Sequence, residues 1–441
     1  MRNIGAFGER KILGIAFLLL ALASAEFIIR GPIRALRSGD EYDDFISPYV
    51  QTKVWLSGQN PYDLDTLARS WPIQKASLER SLAARGIPSP YPITGFPLLA
   101  PVAAISWKNA NLLWQVVEIA AFILFLASLA SIVKRQASQS EEFEYFIVLS
   151  ALIFAPFHTG IAVENVAMVA LAFTTAALAC KDRNRVVAGL LLACGIALKP
   201  TVAIPAFLLF LIRKQWWSAL TTVGVCVVLL LSAAVRMMLA GTGWISDYIH
   251  NGQHLFDPGT IYDFSSANGL HFDLVNSQVI FSQFLSRPLS QYAAAGTAIV
   301  SVLLWLYLRR EISGDSYLLD LSLLSVVMLV PLYHRFYDAA LLIFPVAWAI
   351  TNRRGTAAGW AKFILAATLP FTVPGAALLR YLADSNAFIR VLAESWWWNL
   401  FIAPHQAWLV LFILMALLFA ARKLGQPQAE CESLGSAAVA A

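Results

Sequence analysis

The sequence predicts an all-α polytopic membrane protein, with about 12 transmembrane helices in a single domain over residues 1–423. Of its 441 residues, 59% are hydrophobic and only 13% are charged, and the mean hydropathy is +0.65. A soluble globular chain of this length would carry more charge, so the bilayer must be its solvent. The candidate spans are 12–29, 109–133, 146–160, 165–180, 186–198, 201–212, 217–239, 290–308, 318–333, 338–351, 358–376 and 404–421.

The positions of the basic residues predict the orientation of these spans. With a cytoplasmic N-terminus, alternation puts most basic clusters on the cytoplasmic side, as the positive-inside rule requires. Arg30, Arg34 and Arg37 fall on the outer side and count against this orientation. Because the basic residues lie mainly in short gaps between apolar spans, we attribute the formal net charge of +5 to membrane topology rather than to nucleic-acid binding. The agreeing clusters are Lys134-Arg135, Lys181 with Arg183 and Arg185, Arg213-Lys214, Arg309-Arg310, Arg353-Arg354 and Arg422-Lys423.

This orientation gives the outer side two long segments, at about 30–108 and 240–289. In the first segment, residues 44–57 predict a short amphipathic helix. The apolar stretch at 98–105 is broken by proline and too short to span, so we expect it to lie in the membrane interface or to re-enter it. Such juxtamembrane helices would cover the outer end of the helical bundle.

The two ends of the chain carry further signals. A basic start, an apolar run and small residues at 23–25 are typical of a signal peptide. The apolar run continues to Ile29, however, which favours an uncleaved anchor. Residues 424–441 predict a disordered cytoplasmic tail, and the tryptophans at 396–398 predict an aromatic belt at the level of the lipid headgroups.

The sequence gives little support for a bound metal ion. The four cysteines lack the spacing of metal ligands, and we expect no disulfide bond from them. The Asp-Leu-Asp sequence at 63–65 matches the D-x-D pattern of some metal-dependent transferases, but so short a pattern often occurs by chance. We therefore expect no cofactor and no metal dependence.

A run of acidic residues follows the first span, at Asp40, Glu41, Asp43 and Asp44. Transfer of a group to a hydroxyl requires a base for the hydroxyl proton, and an ionised carboxylate can serve as that base. The alternative is a solvated acidic loop without a chemical role.

Two polar pairs interrupt apolar sequence on the outer side. Glu164-Asn165 lies at a helix end, where an ionisable group is costly unless it is paired or functional; the alternative is a role in starting the helix. Lys199-Pro200 lies at a helix boundary, where the ammonium could meet a phosphate. The alternative for Lys199 is that its side chain extends to the lipid headgroups.

A third polar group comprises residues 333–338, with His334 and Arg335 at its centre. Both side chains can donate hydrogen bonds to a departing phosphate and so stabilise its charge. A basic turn without function is the alternative, but this cluster faces away from the side where basic turns belong. The mismatch favours a functional role.

Taken together in their order along the chain, these motifs resemble glycosyltransferase family 87, over residues of about 12–350. The resemblance implies a multispanning bundle of the GT-C class that uses polyprenyl-phosphate sugars, typically mannose, at the non-cytoplasmic face and inverts the anomeric centre. The matching motifs are Asp44-Phe45, Gly58-Gln59-Asn60-Pro61-Tyr62-Asp63, Tyr91-Pro92, Glu164-Asn165, Lys199-Pro200 and His334-Arg335-Phe336-Tyr337-Asp338.

The resemblance also implies roles for individual residues. It assigns the role of base to Asp44, with the adjacent Asp43 as the alternative. It assigns binding of the carrier phosphate to Lys199, His334 and Arg335. The family usually has Gly-Gln in place of the glutamate and asparagine at 164 and 165, and it often has a second proline after the Tyr-Pro pair. Further candidates for the substrate site are Glu164, Asn165, Tyr337, Asp338, Tyr91 and Asn60.

The sequence thus predicts an inverting hexosyltransferase in a bacterial plasma membrane, with its active site on the periplasmic or extracellular face. Its expected partners are a polyprenyl-phosphate sugar, a lipid or glycan acceptor and membrane lipids, but no nucleic acid. A transporter or flippase of a lipid-linked glycan is the main alternative, because ionisable residues within a membrane also mark substrate pathways. A structural membrane protein is the third.

Overall fold

The regular elements of the structure, a computed structural model, are all helical. It describes residues 2–38, 44–72, 91–136, 141–312 and 316–426. Across these residues no β-strand is formed, and Leu274 and Arg335 make an isolated antiparallel bridge. The helices up to the middle of the chain are α1 (Arg2–Arg30), α2 (Pro32–Ser38), α3 (Ile46–Leu56), α4 (Leu64–Ser70), α5 (Phe96–Ala103), α6 (Trp107–Gln136), α7 (Glu141–Ile153), α8 (Ala155–Ala162), α9 (Ala167–Cys180), α10 (Arg185–Leu198) and α11 (Pro200–Ile212).

The second half continues the same architecture. Short 3-10 helices precede α5 and α17 and follow α18, and a π-helical turn at Trp398–Ile402 precedes the last helix. The α-helices here are α12 (Trp216–Leu239), α13 (Trp244–His254), α14 (Gln278–Phe281), α15 (Arg287–Arg309), α16 (Tyr317–Leu329), α17 (Ile343–Thr351), α18 (Ala358–Thr368), α19 (Gly375–Ser385), α20 (Ala387–Ala393) and α21 (His405–Gly425).

Within the described ranges, five spans are long and apolar enough to cross a membrane: α1 continued by α2, then α6, α12, α15 and α21. Two bent pairs, α7 with α8 at 48° and α18 with α19 at 50°, raise the number to seven if each pair crosses as one span. The prediction of an all-helical polytopic membrane protein is confirmed. The predicted number of about 12 spans is not established by length, because the other apolar helices have only 10–17 residues.

Two of the short apolar helices, α9 and α16, lie inside the bundle. Every residue of α16 is buried except Met328, and α9 is buried from Ala167 to Leu178 except at Phe173. By contrast, the long helices α12 and α15 expose large apolar side chains, as at Leu303, which is 61% exposed. The long helices α12 and α15 therefore present lipid-facing surface, whereas α9 and α16 are enclosed by their neighbours.

The break between α10 and α11 follows directly from Pro200. Proline has no N–H group and disfavours helical geometry in the residue before it. Lys199 accordingly adopts an extended conformation, with φ −151° and ψ 91°. Pro200 occupies the first turn of α11, where a backbone N–H would have no acceptor within the helix, so its absence costs no hydrogen bond. The break places the Lys199 side chain where two helices meet.

Charged residues gather at two ends of the bundle. At the site end, which we define by Lys199 and Asp338, an ammonium meets a carboxylate. At the opposite end, Asp320 is fully buried in the first turn of α16. Its Oδ2 accepts hydrogen bonds from Arg213 Nη2 at 2.6 Å and Arg309 Nε at 3.0 Å. This carboxylate therefore ties the ends of α11 and α15 to α16.

Several basic clusters that the sequence places in the cytoplasm meet at this opposite end. Arg135 lies 3.4 Å from Asp182, and the Lys181 ammonium lies 4.7 Å from the centre of the Tyr317 ring. Tyr317 begins α16, the helix that carries the buried Asp320. The grouping agrees with the alternation by which the spans were predicted.

The first outer segment differs from its prediction in one respect. Helix α3 confirms a helix within 44–57, but all of its residues except Lys53 and Leu56 are buried. It packs on α5, and its Tyr49 ring lies 5.0 Å from the Trp107 ring. The expectation of an amphipathic surface helix is therefore wrong, because protein covers the face that was expected to meet water.

We predict that Asp320→Ala lowers the stability of the folded protein, because it removes the carboxylate that two arginines share in a buried position. The expected loss is about 3–5 kcal/mol, measured by thermal denaturation of the protein in detergent. Asp182→Ala is the matched control. The Asp182 side chain is 58% exposed, so its loss should cost about 1 kcal/mol or less. Equal losses would contradict the assigned role of Asp320.

Candidate active site

Asn165 connects two residues that the sequence predicted for the site. Its Nδ2 donates a hydrogen bond to Asp44 Oδ2 at 3.0 Å, and its Oδ1 accepts one from Lys199 Nζ at 3.1 Å. The same Oδ1 accepts from the backbone N–H of Ala167 at 3.0 Å, which fixes the orientation of the amide. Asn165 is buried. A carboxylate and an ammonium from distant parts of the chain are thus joined through one side chain.

Asp44 is positioned by its backbone and by the residue after it. Its N–H donates to the carbonyl of Val163 at 2.7 Å, and the Phe45 ring stacks on Trp114 with 4.2 Å between ring centroids. The start of the first outer segment is therefore fixed to the turn before α9 and to α6. Asp43, the adjacent rival for the role of base, lies outside the described residues.

Lys199 makes its closest contact with Asp338. Its Nζ lies 2.5 Å from Asp338 Oδ1 and 4.6 Å from the centre of the Tyr337 ring. The Asp338 side chain is only 2% exposed, and that of Lys199 is 18% exposed. The ammonium is therefore surrounded by an amide, a carboxylate and an aromatic face, and part of the Lys199 side chain remains exposed.

His334 is fully buried beside this ion pair. Its Nδ1 lies 3.3 Å from Asp338 Oδ2, and its Nε2 lies 3.0 Å from the carbonyl of Met328. Both ring nitrogens thus face oxygen atoms of the protein. Direct contact between His334 and a phosphate stays a prediction, while the geometry shows His334 lying beside Asp338.

Arg335 contributes a second cation to the site. Its backbone N–H donates to Asp338 Oδ2 at 3.2 Å, and its side chain is half-buried. Burial acts to lower the pKa of Arg335, but Tyr333, Tyr337 and Asp44 act to raise it, and the result lies above the usual value. Among the described residues, no atom accepts a hydrogen bond from the buried Nε of Arg335. The Nε group is therefore a buried donor without an acceptor in the described part of the chain.

The second outer segment closes one side of the site. The N–H of Val275 donates to the carbonyl of His334 at 2.9 Å, and that of Ser277 donates to Val330 at 3.1 Å. The same segment brings Tyr262 against Tyr333, with 4.0 Å between their ring centroids. Sequence reasoning did not single out Tyr262, because no motif marks it within a long polar loop.

Glu164 precedes Asn165 and is held by hydrogen bonds from two amide side chains. Its Oε2 accepts from Asn111 Nδ2 at 2.8 Å, and its Oε1 accepts from Gln115 Nε2 at 2.6 Å. The backbone of Glu164 has φ 54°, in the left-handed region that favours glycine. The two amide contacts offset this strain and hold the turn that presents Asn165. Asn111 and Gln115 are four residues apart at the start of a predicted span, so they lie on the same face of the helix. This spacing could have identified them from the sequence.

Asn60 and Tyr91 lie in contacts that hold the outer segments together. Asn60 Nδ2 donates to Asp247 Oδ2 on α13 at 2.6 Å, and the N–H of Tyr91 donates to Gln51 on α3 at 2.9 Å. The Tyr91 carbonyl also accepts a hydrogen bond from the Tyr62 hydroxyl at 2.6 Å. These two predicted site residues therefore act on the arrangement of the outer segments.

Asp63, the first aspartate of the D-x-D sequence, caps helix α4. Its Oδ2 accepts from the N–H of Thr66 at 3.0 Å and from the Thr66 hydroxyl at 2.5 Å. The hydrogen bond from the Thr66 hydroxyl is the main reason that the pKa of Asp63 lies below its usual value. A helix-capping role thus accounts for this carboxylate.

The fold and the site define a helical membrane protein with carboxylates, amides and cations gathered at one end of its bundle. The model of glycosyltransferase family 87 matches residues 90–334, which is more than half of the chain, and the chain belongs to this family of membrane glycosyltransferases. The match includes Asn165 and Lys199 but ends before Asp338. No curated protein and no solved structure matches the chain. The family resemblance predicted from the sequence is confirmed, and membership favours sugar transfer over the transporter alternative.

We predict that the response of Glu164 to substitution depends on backbone geometry. Glu164→Ala keeps the left-handed strain and removes the partner of two amides, at a cost of about 1–3 kcal/mol. Glu164→Gly also loses those hydrogen bonds but relieves strain of about 1–2 kcal/mol, so it should unfold at a higher temperature than Glu164→Ala.

Lys214→Gly is the control for strain alone. Lys214 is the other non-glycine residue with positive φ among the described residues, at φ 56°, and it is exposed. Its replacement by glycine should raise the melting temperature in detergent slightly. If Glu164→Ala and Glu164→Gly were equally stable, strain at this turn would be disproved.

Proposed function

We propose that this glycosyltransferase moves a hexose, with mannose as the first candidate, from a polyprenyl-phosphate carrier to a lipid or glycan acceptor, with inversion at the anomeric carbon. The observation that carries the proposal is the linkage of Asp44, Asn165, Lys199 and Asp338 at one end of the bundle. This linkage holds a base, Asp44, and a cation, Lys199, at the two ends of the Asn165 amide. Transfer from a phosphate carrier requires both kinds of group.

In the proposed reaction Asp44 is the base. As its carboxylate takes the proton of the acceptor hydroxyl, the acceptor oxygen bonds to the anomeric carbon. The bond from that carbon to the phosphate oxygen breaks, and its electron pair leaves with the polyprenyl phosphate. The hydrogen bond from Asn165 favours the ionised carboxylate that this step needs.

The departing phosphate gains negative charge at its bridging oxygen, and the proposal assigns the stabilisation of that charge to Lys199 and Arg335. Lys199 keeps part of its surface exposed, and the Arg335 guanidinium has an Nε donor that no described residue uses. His334 would support both cations through its contact with Asp338. Charge-assisted hydrogen bonds of this kind are the stronger ones in proteins.

The remaining site residues have supporting roles in this proposal. Tyr337 would limit the movement of the Lys199 ammonium that lies over its ring. Glu164 and Asn165 would fix the turn between base and cation, while Asn60 and Tyr91 would keep the outer segments closed over the substrates. No step is assigned to a metal ion, so transfer should not require one.

The proposal also places the site at the non-cytoplasmic face of a bacterial plasma membrane, in a GT-C type of bundle. The carrier would reach the site from the surrounding lipid. Support comes from the basic clusters, which lie at the end away from Lys199 and belong in the cytoplasm by the positive-inside rule.

We predict that Asp44→Asn reduces transfer by about 10²–10⁴ in purified protein reconstituted with a panel of polyprenyl-phosphate sugars and labelled membrane acceptors. Asparagine keeps the size of the side chain and removes the base. The assay is run with and without EDTA, which should leave the wild-type rate unchanged.

Asp63→Asn is the matched control for Asp44→Asn. Asp63 is another carboxylate of the first outer segment, and asparagine can replace it as a helix cap. This variant should keep wild-type activity. Unchanged transfer by Asp44→Asn in folded protein would rule out the proposed base.

The membrane side is tested by labelling of engineered cysteines in intact cells. Ser57 is exposed at the end of α3, and Ser57→Cys should react with an impermeant maleimide from outside. Lys214→Cys, at an exposed turn of the opposite end, should react only after the membrane is opened. The reverse pattern would place the site in the cytoplasm.

A further inference from the structure

A cavity of about 550 Å³ lies at the end of the bundle opposite the proposed active site. The last turn of α6 contributes Arg135 to its lining, and the C-terminal ends of α9 and α11 contribute Lys181 and Arg213. Tyr317, at the start of α16, lines it as well. We call this space the basic cavity. Its volume lies within the range of sites for small ligands, which is roughly 300–1,000 Å³.

Contacts between helices fix the cations around the basic cavity. The Lys181 ammonium lies 4.7 Å from the centre of the Tyr317 ring, and the guanidinium carbon of Arg213 lies 5.8 Å from it. Two cations from α9 and α11 therefore border one side chain of α16. Arg135 is held separately, because its guanidinium donates a hydrogen bond to the carbonyl of Ala179 near the end of α9. The packing of four helices thus sets the positions of all three cations.

The basic cavity has a surplus of positive charge. Asp182 Oδ2 is shared by Lys181 Nζ, at 2.7 Å, and Arg135 Nη1, at 3.4 Å. Asp320 is likewise shared by Arg213 and a second arginine. Each carboxylate can balance only one of its two partners, so each group retains one positive charge within the described part of the chain. A concave surface with a surplus of one sign of charge attracts a ligand of the opposite sign.

The ion pairs with Asp182 leave Lys181 and Arg135 able to bind another anion. The Asp182 side chain is 58% exposed, and so exposed an ion pair contributes about 1 kcal/mol or less. The Lys181 side chain, by contrast, is only 13% exposed. Water screens a partly enclosed cation less than one on an open surface, so its hydrogen bonds to an anion are stronger. Asp182 is therefore a weak competitor for the two cations.

Basic residues at the C-terminal ends of helices also interact favourably with the negative end of the helix dipole. That interaction accounts for cations at these positions, but it requires no cavity between them. Arginine binds the oxygens of a phosphate through paired N–H groups, and lysine binds them as a point charge. Basic pockets between membrane helices are known to bind the headgroups of anionic lipids.

We propose that the basic cavity binds a phosphate group, carried by an anionic membrane lipid or by a soluble phosphate ester. Arg135 and Lys181 donate hydrogen bonds to the phosphate oxygens, and Arg213 adds positive charge while it remains paired with Asp320. This binding site lies at the end of the bundle away from Asp44, so it does not depend on the proposed transfer reaction.

Three ligands that share parts of one molecule test the site. Dioctanoyl phosphatidic acid carries a phosphate and acyl chains, glycerol 3-phosphate carries the phosphate without the chains, and dioctanoylglycerol carries the chains without the phosphate. Binding to the full chain in a neutral detergent is measured by isothermal titration calorimetry. The wild type should bind at least one of the two phosphate ligands about tenfold more tightly than dioctanoylglycerol. Binding of phosphatidic acid alone identifies a lipid headgroup, whereas binding of glycerol 3-phosphate identifies a soluble phosphate ester as sufficient.

Substitutions in the basic cavity should change phosphate binding in opposite directions. Lys181→Gln and Arg135→Gln should each weaken it by about tenfold, because each removes a charge-assisted hydrogen bond. Asp182→Asn should strengthen it by about threefold, because it removes the competing carboxylate. A loss of folding would weaken binding in every variant, and the melting temperature in detergent identifies any variant that does not fold.

Lys134→Gln is the matched control for Arg135→Gln. Lys134 precedes Arg135 in α6 and carries the same charge, but its side chain is 63% exposed and pairs with Glu144 at 3.1 Å, outside the cavity lining. This variant should bind the phosphate ligands as the wild type does. The site is overturned if the wild type binds neither phosphate ligand, or if dioctanoylglycerol binds equally well. It is also overturned if Lys181→Gln and Arg135→Gln bind as the wild type does, or if Lys134→Gln weakens binding as much as Arg135→Gln.

Discussion

The ion pair between Lys199 and Asp338 is the interaction on which the site depends. Either charge alone would be costly at the end of an apolar helix, and removal of one partner from a buried pair leaves the other uncompensated. Lys199 lies at the break between α10 and α11, and Asp338 lies just after the loop that follows α16. Their contact therefore joins two parts of the bundle that are distant in sequence. It also holds in place the groups with which Asn165 and His334 interact.

Much of the site could be predicted from sequence because membrane topology converts order along the chain into a side of the bilayer. Alternation of spans put Asp44, Asn165, Lys199 and Asp338 on one side, and the structure brings them into one connected group. Topology gives no information on burial, however. The enclosure of α3 and the complete burial of His334 depend on packing between helices that are distant in sequence. No local sequence pattern predicts that packing.

The number of spans was hard to predict for a related physical reason. Hydropathy does not distinguish a helix that faces lipid from one enclosed by other helices, because both are apolar. In α16 even Ser322 and Ser325 are fully buried, together with the Asp320 carboxylate that two arginines neutralise. Such a helix need not match the thickness of the bilayer, since protein rather than lipid surrounds it.

The length of these enclosed helices has a consequence for the depth of the site. Helices α9 and α16 contain only 14 and 13 residues, which corresponds to a rise of about 20 Å. The hydrocarbon layer is about 30 Å thick. With their charged ends at one surface of that layer, these helices end about 10 Å short of the other. On that placement, the cluster around Lys199 lies below the plane of the headgroups. A phosphate attached to a membrane-embedded chain would meet it while most of that chain stays in lipid.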